Sequence, residues 1–80
     1  MILHYTKHAN DKFFMLQRHG RQVFKDDING IIKFPDSVEQ KKDLYFANGK
    51  LSSEDEFWQV IYQKDSTIVK ILTFYPLSKD

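Results

Sequence analysis

Residues 57–76 decide the fold of this chain, and they read FWQVIYQ, KDST and IVKILTFYP in succession. The two outer runs are rich in β-branched and aromatic residues, and the polar segment between them is typical of a tight turn. The pattern therefore predicts a β-hairpin. A three-residue loop over residues 64–66 would place a largely apolar set on the face that packs on the helices: Trp58, Val60, Tyr62, Ile68, Leu72 and Phe74, with Lys70.

The opposite face of this hairpin is mixed in character. It is polar enough to meet solvent and apolar enough to bind a ligand. A two-residue loop would reverse the faces of one strand. With the three-residue loop, the open face carries Phe57, Gln59, Ile61, Gln63, Thr67, Val69, Ile71, Thr73 and Tyr75.

A short strand and a helix are predicted at the start of the chain. Residues 2–5 have strand character, and the hydroxyl of Thr6 suits the N-cap of a helix. The next segment, KHANDKFFMLQRHG, carries apolar residues at helical spacing. Gly20 is suited to a left-handed C-cap that ends this helix.

Residues 24–34 allow two interpretations. Phe24, Ile28, Ile31 and Ile32 fall on one face of a helix, whereas Asn29-Gly30 is a strong signal for a two-residue hairpin. We favour a helix because VFKDDI does not alternate as a strand should, and Pro35 would end it.

An edge strand is expected from Ser37 onward, because its apolar residues are embedded in charged ones. Asn48-Gly49 is expected to mark a turn, Glu54-Asp55-Glu56 a solvated loop, and residues 77–80 a fraying tail. The predicted order is thus β-α-α-β-β-β. This is an α+β fold, with residues 1–80 as one domain in which two helices pack on one face of an antiparallel sheet.

Composition excludes several classes of protein. The 80 residues contain no cysteine, so disulfides, thiolate chemistry and cysteine-based zinc sites are absent. There is no apolar run long enough for a membrane span and no signal-peptide pattern, so a cytoplasmic protein without membrane contact is expected. No glycine-rich phosphate loop or Gly-x-Ser-x-Gly motif occurs. We expect no cofactor and no metal, since a change from strand to helix separates His4 from His8.

Positive charge is concentrated in the first part of the chain. Residues 1–33 hold six Lys and Arg residues against three Asp residues, and all three histidines lie there. The remainder holds six Lys residues against eight acidic ones. An anion-binding patch around the first helix is therefore one interpretation, and a solvated helix surface is the other.

His8 is the candidate for proton transfer, since it lies at the start of a helix with cations further along the chain. A neutral imidazole near cations suits phosphodiester cleavage of RNA, in which Lys12, Arg18 and Arg21 would hold phosphate. Tyr75, near the end of the last strand, would stack on a base and complete the catalytic site. The alternative is structural: His8 caps or packs against the sheet, and Tyr75 is half-buried packing.

Several motifs carry a family resemblance. His8-Ala9 opens the first helix, Arg21-Gln22-Val23 precedes FKDDINGIIKFPDSV, and the chain closes with WQVIY and ILTFYP. In these motifs and in element order the chain resembles small prokaryotic proteins related to the BrnT and RelE-type toxins of toxin–antitoxin pairs. The family usually has arginine where this chain has Lys12. The resemblance implies RNA cleavage or a block of translation, with a cognate antitoxin as partner.

Three functional hypotheses follow. The first is a toxin-like ribonuclease that uses His8, Lys12, Arg18, Arg21 and Tyr75. The second is a non-enzymatic interaction module, either a homodimer or the partner of a small neighbour protein, suggested by the high aromatic content and nearly neutral charge. The third is a regulator that binds nucleic acid without cutting it.

Overall fold

In the described part of the chain, two helices pack on one hydrogen-bonded sheet. The structure is a computed structural model and describes residues 1–51 and 56–77. Its five strands lie in the order β1-β5-β4-β3-β2, with β1 parallel to β5 and the other pairs antiparallel. The elements are β1 Ile2–Tyr5, α1 Lys7–Arg18, α2 Lys25–Lys33, β2 Ser37–Lys41, β3 Leu44–Lys50, β4 Phe57–Asp65 and β5 Ile68–Pro76.

The predicted α+β class is confirmed, but two details of the prediction were wrong. The sheet is mixed rather than antiparallel, because β1 lies at its edge parallel to β5, the last strand of the chain. The segment after Pro35 also holds a hairpin of two strands where one was predicted. Its turn lies at residues 42–43, with Lys42 at a φ of +57°.

Asn48-Gly49 lies within β3 and does not form the predicted turn. Gly49 pairs with Trp58 of β4 under helix α2. A Cβ atom at this position would lie 3.4 Å from two side-chain carbons of Ile31. A small side chain therefore has room at this position but a larger one does not, a packing constraint that the dipeptide alone does not reveal.

Helix α1 begins and ends as predicted. The Thr6 hydroxyl accepts a hydrogen bond from the Ala9 N–H at 3.1 Å, which satisfies one free donor of the first turn. At the other end Gly20 adopts a φ of +81°. The N–H groups of Gly20 and Arg21 donate to the carbonyls of Gln17 and Leu16, which is the hydrogen-bond pattern of a Schellman motif.

Residues 25–33 form helix α2, so the helical interpretation is confirmed over the hairpin. The buried Asp27 carboxylate accepts a hydrogen bond from the Phe24 N–H at 3.1 Å and caps the first turn. The helix buries Ile28, Ile31 and Ile32, as the spacing predicted. Phe24 was wrongly placed on this face, because it is the N-cap that precedes the helix and its side chain is exposed.

The β4–β5 hairpin is present, but the predicted loop length was wrong. Asp65 pairs with Ile68, so the loop has two residues, and Ser66 takes a φ of +58°. Val69 and Ile71 therefore face the core, whereas Ile68 is exposed. A bulge at Leu72 then shifts the register, which returns Phe74 to the core as predicted.

The core lies between the helices and one face of the sheet. Helix α1 packs on β1 and β5, and helix α2 packs on β3 and β4. Trp58 and Tyr62 are buried as predicted. Within the described residues, neither helix is long and apolar enough to cross a membrane. The predicted fraying tail beyond Leu77 and residues 54–55 of the predicted acidic loop lie outside the described residues.

Candidate functional site

The start of helix α1 lies against the second half of β5. Strand β1 pairs with β5 only as far as Ile71, and there the chain turns into the helix. The Thr6 N–H donates to the Ile71 carbonyl at 3.1 Å, and the Thr6 hydroxyl donates to the Leu72 carbonyl at 3.2 Å. These contacts fix the first turn of α1 beside the bulged part of β5, where Thr73 and Tyr75 follow.

The hydroxyl of Thr73 lies between two side chains of helix α1. Its Oγ1 is 3.3 Å from Nε2 of His8 and 3.3 Å from Nζ of Lys12. Residues four apart share a helix face, so His8 and Lys12 reach the same strand residue. An ammonium group only donates, so Oγ1 accepts from Lys12. The hydroxyl has a second lone pair and one proton of its own, so it either accepts from Nε2–H of His8 or donates to an unprotonated Nε2, according to the tautomer.

Lys12 also contacts the aromatic residues that follow Thr73. Its Nζ is 5.8 Å from the centre of the Phe74 ring and 5.6 Å from the centre of the Tyr75 ring. Both distances lie within the range of cation–π attraction. Partial burial lowers the pKa of Lys12 below its ordinary value. A less strongly solvated ammonium is favourable for an incoming anion, because less water must be displaced.

Tyr75 joins this cluster to the open face of the sheet. Its hydroxyl donates a hydrogen bond to Oε1 of Gln59, the residue that pairs with it across β4 and β5. The ring is partly exposed, with Lys12 above it. Tyr75 is therefore held by contacts at both ends of its side chain.

The structure does not bring Arg18 and Arg21 to this cluster. Arg18 is exposed in the last turn of α1, about 15 Å along the helix from His8 at 1.5 Å per residue. The Arg21 guanidinium donates to Oε1 of Glu56 at 2.8 Å and lies 5.9 Å from the centre of the Trp58 ring. Arg21 therefore makes a structural contact with β4 and is not part of a phosphate site around His8.

Three predicted site residues thus lie together in the structure: His8, Lys12 and Tyr75. A fourth residue of the cluster, Thr73, was not predicted as a site residue. Thr73 was expected on the open face beside Tyr75, without a role. The bulge at Leu72, which moves the strand register, is not visible in the residue pattern. Among the described residues no cluster of three His, Asp or Glu side chains could hold a metal ion.

A second feature is a groove of about 360 Å³ on the other side of α1. It lies between the helix and the segment that leads into α2, with Phe13 and Val23 among its lining residues. Phe14 and Phe24 flank it with 67% and 57% of their surface exposed. Large apolar side chains exposed side by side are unusual on a protein surface and are typical of an interface.

Comparison with protein-family models, with curated proteins and with solved structures finds no match for this chain.

Proposed function

We propose that this chain cleaves single-stranded RNA at the cluster of His8, Lys12, Thr73 and Tyr75, without a metal ion. The observation that carries the proposal is the pair of 3.3 Å contacts that link His8 and Lys12 through the Thr73 hydroxyl. The cluster combines the His8 imidazole as a base, the Lys12 ammonium as a cation and the Tyr75 ring within one small patch of the surface. A base and a cation can assist phosphodiester cleavage without a metal ion, and an aromatic ring can bind a nucleobase by stacking.

The proton chemistry centres on Nε2 of His8. In the free protein this nitrogen lies 3.3 Å from the Thr73 hydroxyl, and the mechanism uses the tautomer in which Nε2 is the acceptor. A ribose 2′-hydroxyl would replace Thr73 as the donor and pass its proton to Nε2. The 2′-oxygen then bonds to phosphorus while the bond from phosphorus to the 5′-oxygen breaks. The leaving oxygen takes a proton from solvent, and the products are a 2′,3′-cyclic phosphate and a free 5′-hydroxyl.

Lys12 would stabilise the negative charge on the phosphate, and Tyr75 would bind a nucleobase of the RNA. The Lys12 ammonium, held by Thr73 at 3.3 Å, would donate to a non-bridging phosphate oxygen as negative charge develops there. The partly exposed Tyr75 ring would stack on a neighbouring base. The resemblance to BrnT and RelE-type toxins supports this assignment by analogy. A cytoplasmic location and an antitoxin partner belong to the same proposal.

Controlled expression in a bacterium tests the proposal. We expect growth arrest and fragmented RNA with the natural chain, and normal growth with His8→Ala. His19→Ala is the matched control, because His19 is also exposed but caps the far end of α1. Arrest that persists in a folded His8→Ala protein would remove His8 from the mechanism. Arrest without RNA fragments would favour nucleic-acid binding without cleavage.

A second candidate function is homodimerisation through the groove beside α1. The exposed rings of Phe14 and Phe24 favour it, because a second copy would remove both from water. Sedimentation velocity at micromolar concentration should then show a dimer that Phe14→Glu dissociates. A monomer at every concentration would exclude this function.

A further inference from the structure

A row of polar side chains crosses the open face of the sheet, starting at Tyr75. The Tyr75 hydroxyl donates to Oε1 of Gln59, and Nε2 of Gln59 donates to Oδ1 of Asn48 at 2.8 Å. Nδ2 of Asn48 then donates to Oγ of Ser37 at 3.2 Å. These residues are direct cross-strand partners on β5, β4, β3 and β2. The row therefore runs perpendicular to the strands, from the candidate site to the far edge of the sheet.

Hydrogen bonds within the row fix the orientation of each side-chain amide, and each amide can still form further hydrogen bonds. All donors point the same way, from Tyr75 towards Ser37. Gln59 and Asn48 each use one N–H and one oxygen lone pair within the row, and they make no other side-chain hydrogen bond among the described residues. A primary amide has two N–H groups and two lone pairs, so each retains a donor and an acceptor. Both side chains are partly exposed.

Apolar and cationic groups flank the row on the same face. Phe46 lies two residues before Asn48 on β3, next to its cross-strand partner Ile61. The Lys41 ammonium lies 5.9 Å from the centre of the Phe46 ring. The Phe46 ring, the Lys41 ammonium and the oriented amides are groups that can contact the bases, phosphates and base edges of a single strand of nucleic acid, although Glu39 is also on this face, opposite Phe46.

We infer that this row, from Tyr75 through Gln59 and Asn48 to Ser37, binds the nucleotides that flank the cleaved bond of a single-stranded RNA. The inference deepens the proposed ribonuclease function and rests on it for the position of the first nucleotide. Adjacent strands are about 4.8 Å apart, so the row extends about 14 Å. At about 3.4 Å per stacked nucleotide it accommodates about four. The amides would contact base edges, which makes the row a determinant of sequence preference.

The test compares two lengths of RNA on the full chain. Fluorescence anisotropy would follow binding of 2′-O-methyl oligonucleotides, which cannot be cleaved, with two or six nucleotides at low salt. We expect the hexamer to bind at least about tenfold more tightly than the dinucleotide, as one or two added hydrogen bonds and a stacking contact allow. In Asn48→Leu this advantage should fall about tenfold, while dinucleotide binding stays unchanged.

Gln63→Leu is the matched control. Gln63 is an amide on the same face of β4, is partly exposed, and donates to Asp43 outside the row at 3.1 Å. It should bind both oligonucleotides within about twofold of the natural chain. Gln59→Leu provides a second row variant, and thermal unfolding confirms that each variant is folded. Equal affinity for both lengths, or equal losses in Asn48→Leu and Gln63→Leu, would overturn the inference.

A separate readout distinguishes failure of the inference from failure of the proposed function. Cleavage of an unmodified dinucleotide should depend on the His8 cluster, to which Tyr75 belongs, and not on Asn48 or Ser37 farther along the row. If the chain cleaves the dinucleotide but binds both oligonucleotide lengths equally, the inference about the row is wrong and the proposed ribonuclease function stands. If hexamer binding depends on Asn48 but no RNA is cleaved, the row is supported as an RNA-binding surface and the proposed ribonuclease function is wrong.

Discussion

Nε2 of His8 and the hydroxyl of Thr73 meet at 3.3 Å, although 65 residues separate them in the sequence. The contact joins the first turn of α1 to the bulged part of β5. It gives an exposed histidine a defined hydrogen-bond partner, and a second bond to Lys12 orients the hydroxyl. Under the proposed function Thr73 is a positioning residue, which would hold the His8 ring with Nε2 as the proton acceptor.

Replacement of Thr73 tests this positioning role. Thr73→Val keeps the shape of the side chain but removes the hydroxyl, so it should lower RNA cleavage about tenfold. Thr73→Ser should retain most of the activity, because it keeps the hydrogen bonds to His8 and Lys12. Nitrogen NMR of His8 should show protonated Nδ1 in the natural chain and a mixture of tautomers in Thr73→Val. Identical tautomer populations in both proteins would contradict the role.

The two arginines should behave differently from Lys12. Lys12→Gln should reduce RNA cleavage strongly, whereas Arg18→Gln should leave it within about twofold because Arg18 lies at the far end of α1. Arg21→Gln should instead cost about 1 kcal/mol of stability, since it loses the Glu56 contact and the Trp58 ring. Cleavage assays and urea unfolding of the three variants separate these effects. A large loss of cleavage in folded Arg18→Gln would contradict a phosphate site at Lys12, because it would show that Arg18 binds the phosphate.

Gly49 tests the close approach of α2 to the sheet. A Cβ here would lie 3.4 Å from Ile31, so Gly49→Ala should be tolerated with a small change in stability. Gly49→Val adds two methyl groups at the same contact and should destabilise the fold by about 1–3 kcal/mol despite the β-propensity of valine. Urea unfolding measures both variants. A Gly49→Val protein more stable than the natural chain would show that the contact is not tight.

Alkaline pH should weaken the fold through Tyr5. Burial raises the pKa of Tyr5 above its ordinary value, and the Asp26 carboxylate raises it further. The neutral phenol, which donates to Asn29, is thus favoured in the folded state. This stabilisation is complete below the ordinary tyrosine pKa of about 10 and is lost as the pH rises through the higher folded pKa.

The measurement is the free energy of unfolding at about pH 8 and at about pH 11 for the natural chain and Tyr5→Phe. The natural chain should lose more stability than the variant over this interval. Burial and the neighbouring Tyr45 also raise the pKa of Tyr62, so part of the alkaline loss should remain in Tyr5→Phe. Equal losses in the two proteins would argue against a role for Tyr5.

Local signals explain which elements were predictable. Thr6, Gly20 and Pro35 act through cap and backbone geometry that depends on their near neighbours, so both helices could be predicted. Asn48-Gly49 misled because the dipeptide lies inside β3, where it pairs with β2 and β4, and Gly49 faces Ile31 of α2 rather than forming a turn. The turn falls instead at Lys42, whose left-handed conformation carries no strong sequence signal.

The candidate site was also predictable only where it depends on near neighbours in the sequence. His8 and Lys12 are one helical turn apart, so their proximity follows from the helix alone. Thr73 lies beyond the two-residue loop after Asp65 and the bulge at Leu72. The loop and the bulge each shift the strand register by one residue, and the two shifts cancel beyond Leu72, so Thr73 keeps its predicted face. What the residue pattern does not reveal is the parallel pairing of β1 with β5, which brings the start of α1 beside Thr73. The contact of Arg21 with Glu56 was not predictable, because the two residues are 35 positions apart in the sequence.

The most direct test of the central claim is RNA cleavage by the purified chain in the presence of a metal chelator. The natural chain should produce fragments ending in 2′,3′-cyclic phosphate. His8→Ala should cut at least about a hundredfold more slowly, the usual contribution of a general base. His19→Ala should match the natural chain. Cleavage that is unchanged in folded His8→Ala, or lost equally in His19→Ala, would contradict the assignment of His8 as the proton-transfer group.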